Sequence, residues 1–379
     1  MPKDELIKTR AGQTGPRLLL LEPYLSASHQ AWAQGLMAHI PARWTMIGLP
    51  GRFFRWRMRG AAAYMADRAG PELAGDWDGI VCSSMLNLAE LRGLCPALGS
   101  MPAVAYFHEN QLAYPAPGKA GAAQQERDLY LAFSNLTTAL AAQAVVFNSA
   151  FHRDEFLEAA RRLLASLPDA RPRNLISRIQ AKTSVLPVPL EVSQAKGLVR
   201  GARQGPLRLI WNHRWEHDKD PQTFLKALFQ LAEEGHEFQV CIMGLRSARW
   251  PLEFDQAPDR LGSRLKHLGP VTDRAQYWRW LFWGDVVVST ARQEYQGLAM
   301  AEAVWAGCRP LLPRALVYPE IYPERFLYAP GNFLDSLRVL LTDPDQAREE
   351  NARELVEGFT WQAQRENWSR LLGEVFAKD

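Results

Sequence analysis

A chain of 379 residues exceeds the roughly 250 to 300 residues at which a single core stops growing, and 47% apolar with 22% charged side chains excludes a disordered or fibrous polymer. Two globular domains are therefore expected, and a net charge of +3 is too small to identify an anionic partner by itself. Cys82, Cys95, Cys241 and Cys308 are far apart with no C-x2-C spacing, which argues against a zinc framework or a disulfide scaffold and fits a reducing cytoplasm.

Taken in chain order, "RLLLLEP" reads as a first strand, and its four leucines before Glu22 and Pro23 are too few for a secretory signal. In "YLSASHQAW" that strand meets a helix, with Ser28 expected to cap it and His29 just behind. No G-x-G-x-x-G fingerprint occurs there, so dinucleotide binding is disfavoured. "RFFRWRMRG" sets Arg52, Arg55, Arg57 and Arg59 among three aromatics, a composition that suits either an anionic polymer with unstacked bases or a solvated helix face. "WTMIGLP", "GIVCSS" and "AVAYFHE" continue the strands, the last leading into His108 and Asn110. The uncharged run Leu129 to Phe151 has the length of a membrane span, but Ser134, Asn135, Thr137, Thr138, Gln143 and Asn148 mark it as a buried helix followed by the strand "AVVFNS". From Arg161 to Lys182 six cations stand against one acid. D-x-D at Asp76/Asp78 and Asp343/Asp345 reads as turns, not metal sites.

After "SVLPVPL", the stretch Glu191 to Pro206 lacks apolar periodicity and is the expected linker between domains at 1–195 and 206–360. Strand and helix then alternate again through "RLIWNHR", "FQVCIMG", "KHLGPV", "DVVVST" and "RPLLP". Alternation on both sides of the linker predicts an α/β chain of two doubly wound, Rossmann-like parallel sheets facing a central cleft, with ligands beyond the carboxyl ends of the strands. Two such connections carry chemistry. In "NHRWEHDKDP", Arg214 and Lys219 precede Asp220-Pro221, a helix start; the cations suit a diphosphate or simple pairing with Glu216, Asp218 and Asp220. In "QEYQGLAMAEA", Glu294 lies in a loop, Gly297 and Leu298 open a helix, and Glu302 lies one to two turns inside it. That spacing allows a glycosidase pair, two grips on one ligand, or a helix edge.

With these segments laid out, the sequence resembles retaining glycosyltransferases of the two-Rossmann GT-B type, in which Glu294 and Glu302 are the acids of an E-x7-E signature. More narrowly, "SASHQAW", "LNLAEL", "YFHENQLAYP", "VVFNSAFHRDEFL", "WNHRWEHDKDP", "STARQEYQGLAMAEAVWAGC" and "LVYPEIYP" resemble the tRNA-queuosine mannosyltransferase family, in order and over nearly the whole chain. The resemblance implies GDP-mannose as the nucleotide-sugar donor and the cyclopentenediol of queuosine in a tRNA anticodon loop as acceptor. It implies that Arg214 and Lys219 neutralise the pyrophosphate, Glu302 binds the ribose, Glu294 and the N–H groups near Gly297 and Leu298 hold sugar or phosphate, and His108 contacts the mannose. Gly244 and Val271 would wall the nucleobase, and residues 361–379 would form a closing helix that returns to the first domain. Ser28, His29, Arg52, Arg55, Arg57, Arg59, Asn110 and Asn148 become candidates for the acceptor side. No metal and no cofactor are expected, since two cations and a helix N-terminus can carry the charge of the leaving group. The rival readings are a transferase of the same fold with another nucleotide sugar or a lipid or polysaccharide acceptor, and a non-catalytic RNA- or nucleotide-binding module.

Overall fold

The structure is a computed structural model that describes residues 6–113, 122–201, 203–245, 251–350 and 352–377. Tyr114 and Pro115 of the "YFHENQLAYP" stretch and Arg246 and Ser247 after Gly244 lie outside the described residues. The chain divides into two compact units, residues 1–189 with 361–379, and residues 190–360.

In the first unit, β1 (Ile7–Ala11), β2 (Arg17–Leu25), β3 (Arg43–Pro50), β4 (Gly79–Ser83), β5 (Ala103–Phe107), β6 (Ala144–Phe147) and β7 (Thr183–Val185) form one sheet in the order β1-β3-β2-β4-β5-β6-β7. Each anticipated strand is present and all of these pair in parallel; the apolar runs of β2 to β6 are largely buried on both faces, while the edge strand β7 is half-buried. Strand β1, "IKTRA", was not signalled: it is an antiparallel edge strand with almost every side chain exposed, so it carries no apolar pattern. The anticipated helix–strand pair inside Leu129 to Phe151 is the end of the helix Ala122–Ala141 and β6. Among the described residues no helix is long and apolar enough to cross a membrane.

The closing helix Trp361–Phe376 packs within this first unit. Trp368 is fully buried, with ring centroids 5.3 Å from Tyr106 and 6.3 Å from Trp32. Two glycines admit the helix: a Cβ on Gly35 or on Gly79 would lie 2.3 Å from the ring of Trp361 or Phe376 respectively. Glycine inside the helix Ala27–His39 costs about 1 kcal/mol in propensity, and burial of the tryptophan, worth about 1.5–3 kcal/mol, offsets it.

In the second unit, β8 (Leu207–Trp211), β9 (Phe238–Met243), β10 (Leu265–Gly269), β11 (Val286–Val288), β12 (Arg309–Pro313) and β13 (Leu327–Tyr328) form an all-parallel sheet in the order β10-β9-β8-β11-β12-β13. Counted from β8, this is the dinucleotide-fold order 3-2-1-4-5-6, whose direction reverses between β8 and β11. The stretch Glu191 to Pro206, expected as a linker, is tied onto this unit: Arg200 Nη1 donates to the Ala306 carbonyl at 2.5 Å, and Arg203 Nη1 donates to the Arg348 carbonyl at 3.1 Å.

Candidate active site

The reversal point of the second sheet brings together the two connections singled out in the sequence. After β8 the chain turns through Asp220, held in the left-handed region at φ 44°, and starts the helix Pro221–Glu233. The Asp220 carboxylate accepts from Thr223 Oγ1 at 2.8 Å and pairs with Arg292 at 2.8 Å, and Thr290 Oγ1 donates to the Lys219 and Asp220 carbonyls. A left-handed non-glycine residue costs of the order of 1–3 kcal/mol, and these bonds offset it while fixing Lys219. Lys219 is buried, with Nζ 3.3 Å from Glu294 Oε2, 3.1 Å from Asp218 Oδ2 and 2.7 Å from the Gln293 carbonyl. Burial pushes the Glu294 carboxyl up, but Lys219, then His213 and the Gly297 N–H, outweigh it and hold it at about 2. Burial pushes the Lys219 ammonium down and the carboxylates of Glu294 and Asp218 more than restore it. Both groups are therefore charged at neutral pH. Arg214, by contrast, is half exposed and 3.2 Å from Glu216 Oε2.

Gly297 caps the helix Leu298–Trp305 at φ 75°, with room for a Cβ only 3.2 Å from the Tyr318 ring. The helix ends at Gly307, φ 94°, where Cys308 N–H donates back to the Ala303 carbonyl at 2.9 Å. Glu302 projects from its second turn into a network that the sequence does not announce: Tyr277 Oη donates to Oε2 at 2.7 Å, and Arg274 pairs with Oε1. Asn212 Nδ2 in turn donates to Tyr277 Oη at 2.9 Å. Glu294 and Glu302 thus have different cationic partners, Lys219 and Arg274. Deeper still, His213 Nε2 lies 3.0 Å from Ser289 Oγ, itself 2.8 Å from Tyr318 Oη, and burial followed by Lys219 pushes His213 down to about 3. Gly244, after β9 at φ 125°, packs so tightly on the loop behind β8 that a Cβ would lie 1.8 Å from the His213 carbonyl; Val271 is half-buried beyond β10.

The first unit has its own switch point, between β2 and β4. There Glu22, fully buried, accepts from Ser83 Oγ at 2.9 Å and from Tyr24 N–H at 2.9 Å, and its Oε2 lies 3.0 Å from His29 Nδ1. His29 lies against His108 with centroids 4.0 Å apart and ring planes tilted by 31°, and Trp32 and Tyr106 wall the other sides of His108. Burial, then His29 and His152, push His108 well below the ordinary histidine range, so it is neutral. Among the described residues Glu22, His29 and His108 are the one set of side chains that could hold a metal ion, with their ligand atoms within 4.8 Å. A tetrahedral ion bound by two imidazoles would separate their centroids by about 5 Å, given metal–nitrogen bonds of about 2 Å. The tilted pair, at 4.0 Å, is closer than that, so the geometry does not suit ligation by both rings.

Several acceptor-side candidates lie elsewhere than expected. Ser26, not Ser28, is the N-cap residue of the helix Ala27–His39, which starts two residues earlier than a cap at Ser28 would place it; Ser28 is exposed on its first turn. Asn110 is fully buried and accepts from the Leu112 and Ala113 N–H groups, which makes it a turn former rather than a surface contact. Asn148 Nδ2 donates to the His108 carbonyl at 3.0 Å while its Oδ1 lies 2.8 Å from His152 Nδ1, so it positions His108 from within. Arg52 to Arg59 lie at the start of the helix Phe54–Leu73, where buried Met58 turns inward and Phe53 and Trp56 remain 72% and 65% exposed. Arg59 lies 4.6 Å from the centroid of the Tyr130 ring. In the second basic stretch Lys182 is used internally, donating to the Leu140 and Ala142 carbonyls. Of the residues missed, Glu22 had a signal, an acid inside an apolar strand; Arg274 and Tyr277 had none beyond the helix cap at Asp273.

Comparison with known proteins matches this arrangement to a family. The family model described as tRNA-queuosine alpha-mannosyltransferase N-terminal matches residues 17–190. A Drosophila melanogaster tRNA-queuosine alpha-mannosyltransferase is 36% identical over 328 residues, covering 84% of this chain and 85% of its own. Among solved structures, sucrose-phosphate synthase from Thermosynechococcus elongatus superposes with a TM-score of 0.66 at 15% identity, over 96% of this chain and 100% of its own. A UDP-forming trehalose-phosphate synthase from Burkholderia xenovorans gives 0.67 at 12% identity, over 96% and 100%. These structures establish the GT-B fold alone. Identity extending through both units, on top of that fold, places the chain in the tRNA-queuosine alpha-mannosyltransferase family.

Proposed function

We propose that this chain transfers mannose, with retention, from GDP-mannose to a hydroxyl of the queuosine cyclopentenediol in tRNA. The observation that carries the reading is the 36% identity to a tRNA-queuosine alpha-mannosyltransferase across 84% of the chain, which spans both units. The geometry supports it from the residues upward. Lys219 and Arg214, beside the start of the helix Pro221–Glu233, neutralise the donor diphosphate, Lys219 as the fixed charge and Arg214 as the adjustable one. Glu302, held by Arg274 and Tyr277, keeps lone pairs for the ribose hydroxyls. Glu294 and the first N–H groups of the helix Leu298–Trp305 hold sugar hydroxyls and phosphate. Asn212 Oδ1 and Gln293 Nε2, buried with no partner among the described residues, complement a hydroxyl-rich ligand there. Gly244 and Val271 bound the base.

In this reading no carboxylate attacks the sugar. The acceptor oxygen bonds to the anomeric carbon on the face that GDP leaves, the bond from that carbon to the phosphate oxygen breaks, and the acceptor proton passes to the departing phosphate oxygen. Lys219, Arg214 and the helix N-terminus stabilise the charge that develops on GDP, a role for which one preorganised donor is worth about 3–4 kcal/mol. Those groups take the place a divalent cation would have, so the reading requires none. The tRNA is held by the arginines from Arg52 to Arg59. Calorimetry with GDP-mannose, GDP and UDP-sugars tests the donor half: tight binding of GDP and GDP-mannose with weak UDP binding is expected, and preference for a UDP-sugar would transfer the reading to another donor.

A further inference from the structure

The helix Phe54–Leu73 of the first unit has an inner face that is fully used. Met58, Ala62 and Met65 are buried, and Met58 clusters with Met85 and Leu131, with Phe54 packed against them. The outer side carries the exposed positions Phe53, Trp56, Arg59, Ala63 and Asp67, three or four residues apart as one face of a helix requires. Such a face is ordinarily charged or polar, yet its first turn presents two bare aromatic rings, Phe53 at 72% and Trp56 at 65% exposure. Trp56 is held all the same, because its indole lies over Gly60, where a Cβ would come within 3.0–3.2 Å of three ring atoms. Phe53 sits in the left-handed region at φ 55° and ψ 50°, which a bulky residue seldom adopts and a glycine adopts without strain. The surroundings are cationic. Arg52, Arg55, Arg57 and Arg59 flank the rings in sequence, no acid occurs from Gly51 to Ala66, and the Arg59 guanidinium lies 4.6 Å from the centroid of the Tyr130 ring.

We propose that Phe53 and Trp56 form a stacking surface for unpaired bases of the RNA loop, with the neighbouring arginines on its phosphates. This rests on the reading that the acceptor is tRNA. A flat apolar ring takes the face of any base, and cations beside it take the backbone charge, so the pair suits a single strand whose bases are splayed outward. A duplex buries its base faces and offers this surface phosphates alone. A membrane suits it less, since an interfacial helix needs an apolar face along several turns, whereas the exposed aromatics of this helix give way to Arg59 after the first.

The test is Trp56→Ala, measured with the isolated anticodon stem-loop and with a blunt RNA duplex of equal charge. Loss of one stack is expected to weaken stem-loop binding about 5- to 100-fold and to leave duplex binding within about twofold of the parent. The slope of log affinity against log salt is expected to stay as in the parent, because no cation is lost, and Trp56→Phe is expected to restore most of the affinity. Phe53→Gly is expected to weaken stem-loop binding while its thermal midpoint stays at or above that of the parent, because the left-handed strain is relieved and no buried contact is lost. Equal losses on stem-loop and duplex, or a flattened salt slope, would make Trp56 a mere support for the arginines and overturn the proposal. A lowered midpoint of Phe53→Gly with parental RNA affinity makes Phe53 structural and removes it from the surface. Parental RNA affinity in Trp56→Ala together with lost sedimentation on phosphatidylserine vesicles assigns the surface to a membrane and overturns the proposal as well. A parent that binds neither tRNA nor the stem-loop refutes the underlying reading, whereas a parent that binds both no more tightly than Trp56→Ala refutes only the stacking surface.

Discussion

Replacing Lys219 with methionine keeps the length of the side chain and removes the one charge 3.3 Å from Glu294. At that distance and an effective dielectric near 20 the attraction is about 5 kcal/mol. Burial of the carboxylate opposes it, and the net displacement of Glu294 from 4.5 to about 2 corresponds to about 3 kcal/mol. A depressed folded value stabilises the fold above the ordinary carboxylate range and loses that contribution as pH falls towards 2. In Lys219→Met only His213 and the Gly297 N–H are left to oppose burial, so the Glu294 value rises towards the ordinary one and the variant loses that contribution. Denaturant titrations of parent and variant should therefore differ by about 3 kcal/mol at pH 8, with most of the gap remaining at pH 4 and closing only as pH falls towards 2. Single-turnover mannosyl transfer by the variant should be slowed about 100- to 1000-fold, the loss expected for one preorganised charge stabiliser. A stability gap independent of pH would falsify the ion-pair account, and a transfer rate within threefold of the parent would remove Lys219 from the donor chemistry.

Glu302→Ala should raise the KM for the donor at least tenfold while kcat stays within threefold, since it strands Arg274 and Tyr277 but leaves Lys219 in place; an unchanged KM in steady-state assays counts against a ribose grip. Gly297→Ala forces a left-handed alanine at φ 75° and should destabilise the fold by about 1–2 kcal/mol in chemical denaturation, with donor affinity reduced in calorimetry; parental values in both would show that the glycine is dispensable. Replacing Arg55 and Arg59 together by serine should weaken tRNA binding and flatten the slope of log affinity against log salt by about 0.7–0.9 for each phosphate left without its cation, and an unaltered slope places the RNA elsewhere.

The fold was legible because parallel strands buried on both faces, such as "RLLLLEP" and "DVVVST", write themselves as short apolar bursts between helices. Strand β1 was not, since an exposed edge strand has no such pattern, and the extent of the linker was not, since Arg200 and Arg203 anchor it through carbonyls far away in sequence. In the site, loop position after a strand was enough to single out Lys219, Glu294 and His108. Their partners were hidden because a partner is a matter of sheet order: Lys219 and Glu294 meet only because β8 and β11 are neighbours, and Glu22 meets Ser83 only because β2 and β4 are. Asn110 and Asn148 show that a polar residue after a strand serves equally to build the loop that presents its neighbour.

The most direct measurement is to incubate the purified chain with isotopically labelled GDP-mannose and tRNA either containing or lacking queuosine, digest the RNA, and analyse the nucleosides by mass spectrometry. The account predicts one labelled hexose on queuosine alone, removable by an α-mannosidase. Label on another nucleoside, label on queuosine-free tRNA, or no label on any RNA would contradict it.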